Sequence, residues 1–186
     1  GKNYYQLASD VFKGVTASTG ATVAMDVKVP STIANQWSVL FSTTATDYNQ
    51  WGLWKVNANT VSDINAGNPW AYGSTGGATE ISNGQWHNVT MTLTKNKVIV
   101  YLDGSEIHSA IPGGGAETYA TDGWTGLLNV LANNAFNVLG AGGFPAEGKT
   151  SDRDISDCYY DNVSIYANAL SEDEVYYLAT GKTMNN

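Results

Sequence analysis

The stretch Gly84-Gln85-Trp86-His87-Asn88-Val89-Thr90-Met91-Thr92-Leu93-Thr94, continued by Lys95-Asn96-Lys97 and then Val98-Ile99-Val100-Tyr101-Leu102-Asp103-Gly104, decides the fold. Val89, Met91 and Leu93 alternate with Asn88, Thr90, Thr92 and Thr94. Alternation of this kind gives a strand one apolar and one polar face. Lys95-Asn96-Lys97 suits a hairpin turn, because Asn tolerates a left-handed backbone. Val98, Val100 and Leu102 alternate again, and Asp103-Gly104 supplies a turn signal at the end. Two strands with one apolar face each need a second sheet over that face, so the stretch predicts a β-sandwich. In that register Val89, Met91 and Leu93 are expected to be buried together with Trp86, and Thr90 and Thr92 to face the other way.

Outside this hairpin, Thr22 to Val29 alternates cleanly and Pro30, with no N–H to donate, ends it. Trp37 to Ser42 is a more continuous apolar run, consistent with a strand covered on both sides. Leu127, Leu128 and Leu131 recur at helical spacing and predict a short helical turn near 124–132. Ser171, with Glu174 three residues on, forms a capping box, and Gly181 suits a helix end, which predicts a second helical turn over 171–180. With 186 residues the chain reads as a single domain over 1–186, large enough for a full sandwich core.

Two segments carry a family resemblance. Gly84-x-Trp86-His87-x-Val89 followed by Val98-x-Val100-Tyr101-x-Asp103-Gly104 resembles the laminin-G-like jelly roll of the concanavalin A-like superfamily. So does Tyr160-Asp161-Asn162-Val163-Ser164-Ile165-Tyr166 leading into Ala169-Leu170-Ser171-Glu172-Asp173-Glu174, with a weaker match at Phe12-Lys13-Gly14. The resemblance implies an all-β, two-sheet antiparallel jelly-roll β-sandwich. It also implies a structural calcium ion held by Asp161 in the closing strand and by Asp10 ahead of Phe12. Calcium takes six to eight oxygen ligands, so loop carbonyls would have to supply the rest.

The net charge is −8, with only nine scattered basic residues. Phosphate recognition needs clustered Lys and Arg, so nucleic acid is excluded as a partner. No run of about 18 apolar residues occurs, so no membrane insertion is expected. Cys158 is the single cysteine and can form no intrachain disulfide. Extracellular eukaryotic modules of this family often carry disulfides, so the resemblance points to a bacterial module, secreted or attached to the cell surface. The chain begins at Gly1, which reads as a module of a longer protein. The sequons Asn88-Val89-Thr90 and Asn162-Val163-Ser164 fall inside strands and read as chance matches.

Chemistry is sparse. Glycoside hydrolases need two carboxylates about 5–9 Å apart, and the related sandwich enzymes carry Glu-x-Asp-x-Glu on one strand, which this chain lacks. Glu172-Asp173-Glu174 sits where acids favour a helix N-terminus. His87 and His108 have no partners at zinc spacing. The aromatics are more informative: 6 Trp and 11 Tyr. Sugar C–H faces pack on such rings while hydroxyls bond to Asn, Gln, Asp and Arg. Trp54, Trp70, Tyr72 and Trp124 lie among Asn, Gly and Thr and are the expected sugar platform, with Arg153 in the acidic stretch 152–157 as a further contact and Tyr48 and Phe144 next in line. These residues, with the resemblance, point to a non-catalytic carbohydrate-binding module that holds a parent glycan-active enzyme on a polysaccharide or glycoconjugate. The alternatives are an adhesion or protein-interaction domain and, behind it, a glycoside hydrolase.

Overall fold

A computed structural model describes residues 4–32, 39–45, 54–57, 65–66, 81–112, 123–133, 135–141, 143–144, 149–150 and 157–184. The hairpin forms as the alternation requires. β6 (Trp86–Leu93) pairs antiparallel with β7 (Val98–Leu102), Met91 opposite Val100 and Leu93 opposite Val98. On its other side β6 pairs with β2 (Ala21–Lys28), Val23 opposite Met91 and Met25 opposite Val89. β12 (Tyr159–Tyr166) and β8 (Ser105–Ala110) complete this sheet, in the order β12-β2-β6-β7-β8. A second antiparallel sheet runs β1 (Tyr5–Leu7), β9 (Ala135–Leu139), β3 (Val39–Ala45), β4 (Trp54–Asn57), β5 (Asn65–Ala66). A small ribbon pairs β10 (Gly143–Phe144) with β11 (Lys149–Thr150).

The core lies between the two sheets. Val23, Met25, Val27, Val89, Met91, Leu93, Val98 and Val100 face Leu40, Phe41, Val56, Ala135 and Leu139 in one apolar cluster. Phe12 packs edge-on against Phe41 with ring centroids 6.4 Å apart, a favoured aromatic geometry. The Tyr160 hydroxyl crosses from one sheet to the other and donates to the Leu40 carbonyl at 3.1 Å.

Helix α1 (Thr125–Asn133) buries Leu127, Leu128 and Leu131. Its start is tied to the β6–β7 turn, where the Trp124 N–H donates to the Lys95 carbonyl at 2.9 Å. A Cβ at Gly123 would collide with that carbonyl, so only glycine fits there. Trp124 is therefore carried into the core and is 1% exposed. The expectation that its ring belongs to a sugar platform is corrected: the helix start that the apolar spacing predicts turns the indole inward.

Helix α2 (Glu172–Thr180) has the capping box read from the sequence, with Ser171 as N-cap and Gly181 in the left-handed region at its end. It lies against the outer face of the β6-containing sheet. Val175 is fully buried. A Cβ at Gly104 would press on Tyr176 and Ala179. The segment entering α2 is pinned by Thr22, whose hydroxyl donates to Asn168 O at 2.8 Å and accepts from Leu170 N at 2.9 Å. Thr22, Ala24, Thr90, Thr92 and Tyr101, all on the outer face, are buried. Thr90 and Thr92 thus point away from the core as expected, but into covered structure and not into water.

Candidate functional site

The outer face that α2 leaves open carries two rows of side chains running across three strands. Strand pairing sets Tyr159 opposite Lys28 and Lys28 opposite Trp86. The next outward row sets Asp161 opposite Asp26 and Asp26 opposite Asn88. Side chains two residues apart on a strand share a face, so the rows lie side by side. Trp86 is 51% exposed and Tyr159 61%. The expectation of a buried Trp86 is corrected: it shares the parity of Asn88, Thr90 and Thr92, the polar side of its strand, at the end where that face is open.

A cleft of about 370 Å³ opens here, lined by Asp26, Trp86, His87, Asn88, Asp103 and Asp161, with Ala179 of α2 contributing as well. Its polar groups form one continuous network. Asp103, at φ 51 in the β7–β8 turn, accepts the Asn88 N–H on Oδ1 at 2.9 Å. Its Oδ2 lies 2.9 Å from His87 Nδ1, and His87 Nε2 lies 3.0 Å from the Asn83 side-chain amide. Asn88 donates through Nδ2 to Asp26 Oδ1 at 2.9 Å and accepts the Thr90 hydroxyl on Oδ1 at 2.9 Å. Asp26 Oδ2 accepts Asn162 Nδ2 at 2.7 Å. The Asn162 backbone N–H donates to Asp161 Oδ1 at 2.8 Å.

Two like charges directly opposite on neighbouring strands repel. Here the amides of Asn88 and Asn162 offset this for Asp26 and Asp161. Both sequon asparagines donate a side-chain N–H to Asp26. Asn162 reaches Asp26 because β12 carries a bulge between Asp161 and Ser164, with Asn162 at φ 49.

A larger open groove of about 900 Å³ lies between the β7–β8 turn and α2, lined among others by Glu106, Glu172, Tyr176, Tyr177 and Lys182. Glu106 reaches Lys97 at 3.4 Å, and both glutamates act on Tyr101. Burial first, then the charges of Glu106 and Glu172, push the Tyr101 hydroxyl above its usual value of 10.0, against a hydrogen bond with Thr92. The smaller cleft is the better candidate because its groups are fixed in place by one another.

Of the other expected contacts, Trp54 lies on β4 opposite Thr43, with its side chain outside the described residues. Trp70, Tyr72, Arg153 and Tyr48 lie outside them altogether, as does the side chain of Phe144. Asp161 lines the cleft, but Asp10 does not join it. Asp10 sits in an exposed turn whose neighbour Ser9 accepts the N–H of Ala135, opposite Ala45 at the end of β3. Tyr160, next to Asp161, meets Leu40 at the other end of that strand. The two carboxylates expected to share a calcium ion are thus at opposite ends of the sandwich. Among the described residues no three His, Cys, Asp or Glu side chains converge to hold a metal. Both Asp26 oxygens face N–H donors, so this row does not fit a calcium cage either.

Two antiparallel five-stranded sheets packed face to face, with an open polar and aromatic patch on one of them, place the chain among the lectin-like jelly-roll sandwiches. The laminin-G family model of the Concanavalin A-like lectin/glucanases superfamily matches residues 1–176, and the chain belongs to that family. No curated protein matches the sequence. Among solved structures, it is similar to a SAP-like pentraxin from Limulus polyphemus, at 16% identity and a TM-score of 0.57 over 89% of this chain and 72% of that one. It is also similar to a Trypanosoma rangeli sialidase, at 15% identity and a TM-score of 0.59 over 96% of this chain and 26% of the sialidase. A third likeness, at 13% identity and a TM-score of 0.52, is to a botulinum neurotoxin binding domain solved with rat synaptotagmin II, over 88% of this chain and 36% of that one. At these identities the likeness is one of fold, and fold does not carry function.

Proposed function

We propose that this domain is a non-catalytic carbohydrate-binding module and that the outer-face cleft is its site. The observation that carries the reading is Trp86, a half-exposed indole beside a row of carboxylates and amides already locked by hydrogen bonds. A sugar offers both an apolar ring face and hydroxyl donors, and such a site meets both. Preorganised polar groups lower the ordering cost of binding. Catalysis is a poorer use of the same residues. A glycosidase acid must hand a proton to the leaving oxygen, whereas both oxygens of Asp26 are occupied as acceptors from amides. The role suggested is to hold a larger glycan-active protein, secreted or surface-attached and bacterial, on its polysaccharide.

The test is a glycan array with the purified domain, followed by calorimetry of the bound glycans on the wild type and Trp86→Ala. Trp86→Ala should abolish binding while the protein stays folded. Undiminished binding by that variant would move the site elsewhere. Release of reducing sugar that Asp26→Asn or Asp161→Asn abolishes would make the domain an enzyme.

A further inference from the structure

We infer that the open outer face along the cleft takes an uncharged, linear oligosaccharide lying across the strands, from Trp86 over Lys28 to Tyr159; this rests on the carbohydrate-binding reading above. Helix α2 sets the direction. The outer face beyond the cleft, at Thr22, Ala24, Thr90 and Thr92, is buried, and Ala179 of α2 borders the cleft. A chain running along the strands would meet the helix. Among the described residues, a chain running across them finds an open path to β12, the edge of the sheet, where Tyr159 stands exposed.

The spacing fits a chain ligand. Trp86 and Tyr159 sit on strands separated by one intervening strand, about 10 Å apart at the usual inter-strand distance, so bridging both rings takes about three sugar units. Lys28, level with both rings on the middle strand, supplies a donor under the central unit. The acid and amide row runs parallel to this path. It presents acceptors along one side of the ligand, including the second oxygen of Asp161.

Charge selects against acidic glycans. Asp26, Asp103 and Asp161 line the cleft, against Lys28 beside it, and the whole chain carries −8. A uronate or sulfate group would have to approach this row of carboxylates, with repulsion strongest at low salt.

The experiment is calorimetric titration of neutral xylo-, manno- and gluco-oligosaccharides of graded length, from disaccharides upward, and of polygalacturonate, into the wild type, Trp86→Ala, Tyr159→Ala and Tyr159→Phe. Affinity should rise about tenfold or more between the disaccharide and the length that reaches both rings, then level off, as expected for one further aromatic anchor. Trp86→Ala should weaken every length. Tyr159→Ala should weaken only the longer chains, returning them to disaccharide affinity, and Tyr159→Phe should restore them. Tyr159 is exposed, so these variants fold. Neutral sugars that bind Trp86 with no dependence on length or on Tyr159 would overturn the cross-strand path and leave the carbohydrate-binding reading standing. Polygalacturonate binding as tightly as the neutral chains would overturn the charge selection. No binding by any neutral series would remove both the path and the reading it rests on.

Discussion

Met91 and Trp86 share strand β6 and point to opposite faces, so truncating each should damage a different property. Met91 is fully buried, and its cross-strand neighbours Val23 and Val100 are fully buried too. Truncation of a buried Met to Ala costs about 2–5 kcal/mol, with the higher values where the surroundings cannot collapse into the space. The walls here are strand residues held by ladder hydrogen bonds on both sides, which places Met91→Ala at about 3–4 kcal/mol. For a chain of this length each kcal/mol lowers the melting temperature by about 2–4 °C, giving a drop of roughly 6–16 °C. Urea denaturation followed by tryptophan fluorescence measures it, and an unchanged m-value would show that the unfolded state is not the cause. Glycan affinity well below the melting temperature should stay at the wild-type value. Trp86→Ala should show the reverse, with a stability loss of at most about 1–2 kcal/mol because half of the ring is already in water. A loss below about 1 kcal/mol for Met91→Ala would refute the core assignment of β6. Loss of affinity in step with stability in both variants would refute the separation of the two faces.

Burial holds the His108 imidazole below its usual 6.5, and its buried Nε2 finds no hydrogen-bond partner among the described residues. As pH falls below 6.5 the unfolded chain therefore takes up a proton that the native ring resists, and stability should fall until the depressed value is passed. His108→Leu should raise the melting temperature and flatten this segment of the pH profile; an unchanged profile would mean the ring is solvated. The Ser171 backbone N–H, then its hydroxyl, hold the Glu174 carboxyl below 4.5. That contribution is complete above 4.5 and is lost as pH falls through the lowered value, so α2 amides should lose hydrogen-exchange protection there, and Glu174→Gln should remove the pH dependence. Asp10 and Asp161 lie at opposite ends of the sandwich, so any drop in melting temperature caused by EDTA should persist in Asp161→Ala; its disappearance would restore Asp161 as a calcium ligand.

Periodicity made β2, β6, β7 and both helices legible, because apolar spacing and caps are local signals. The burial of Thr90 and Thr92 was not legible. Their cover comes from elsewhere in the chain, and nothing in a polar strand face announces what will land on it. Trp86 shows a different failure. Its position among Asn88, Thr90 and Thr92 marks it as outward, yet a large aromatic within a family motif reads as core. Asp26, Asn88 and Asp161 come from three strands brought into register by the sheet, and an antiparallel pairing cannot be read from any one of them. Asp161 was singled out, but for a partnership with Asp10 that the two ends of the sandwich keep apart.

The bulge in β12 is the place where that strand can lose a residue and keep its register. Tyr160 and Ile165 both face the core although an odd number of positions separates them, and the extra residue between Asp161 and Ser164 absorbs the mismatch. The C-terminal half of the strand is anchored by the bonds from Thr19 and Thr22 to the chain that follows it. Deleting Asn162 or Val163 would remove the extra residue and leave a regular ladder, with Asp161 still opposite Asp26 and Ser164 still opposite Ala24. Tyr159 and Asp161 would stay on the outer face and Tyr160 in the core, so one lost codon would spare the aromatic row and cost the Asn162 amide its hold on Asp26.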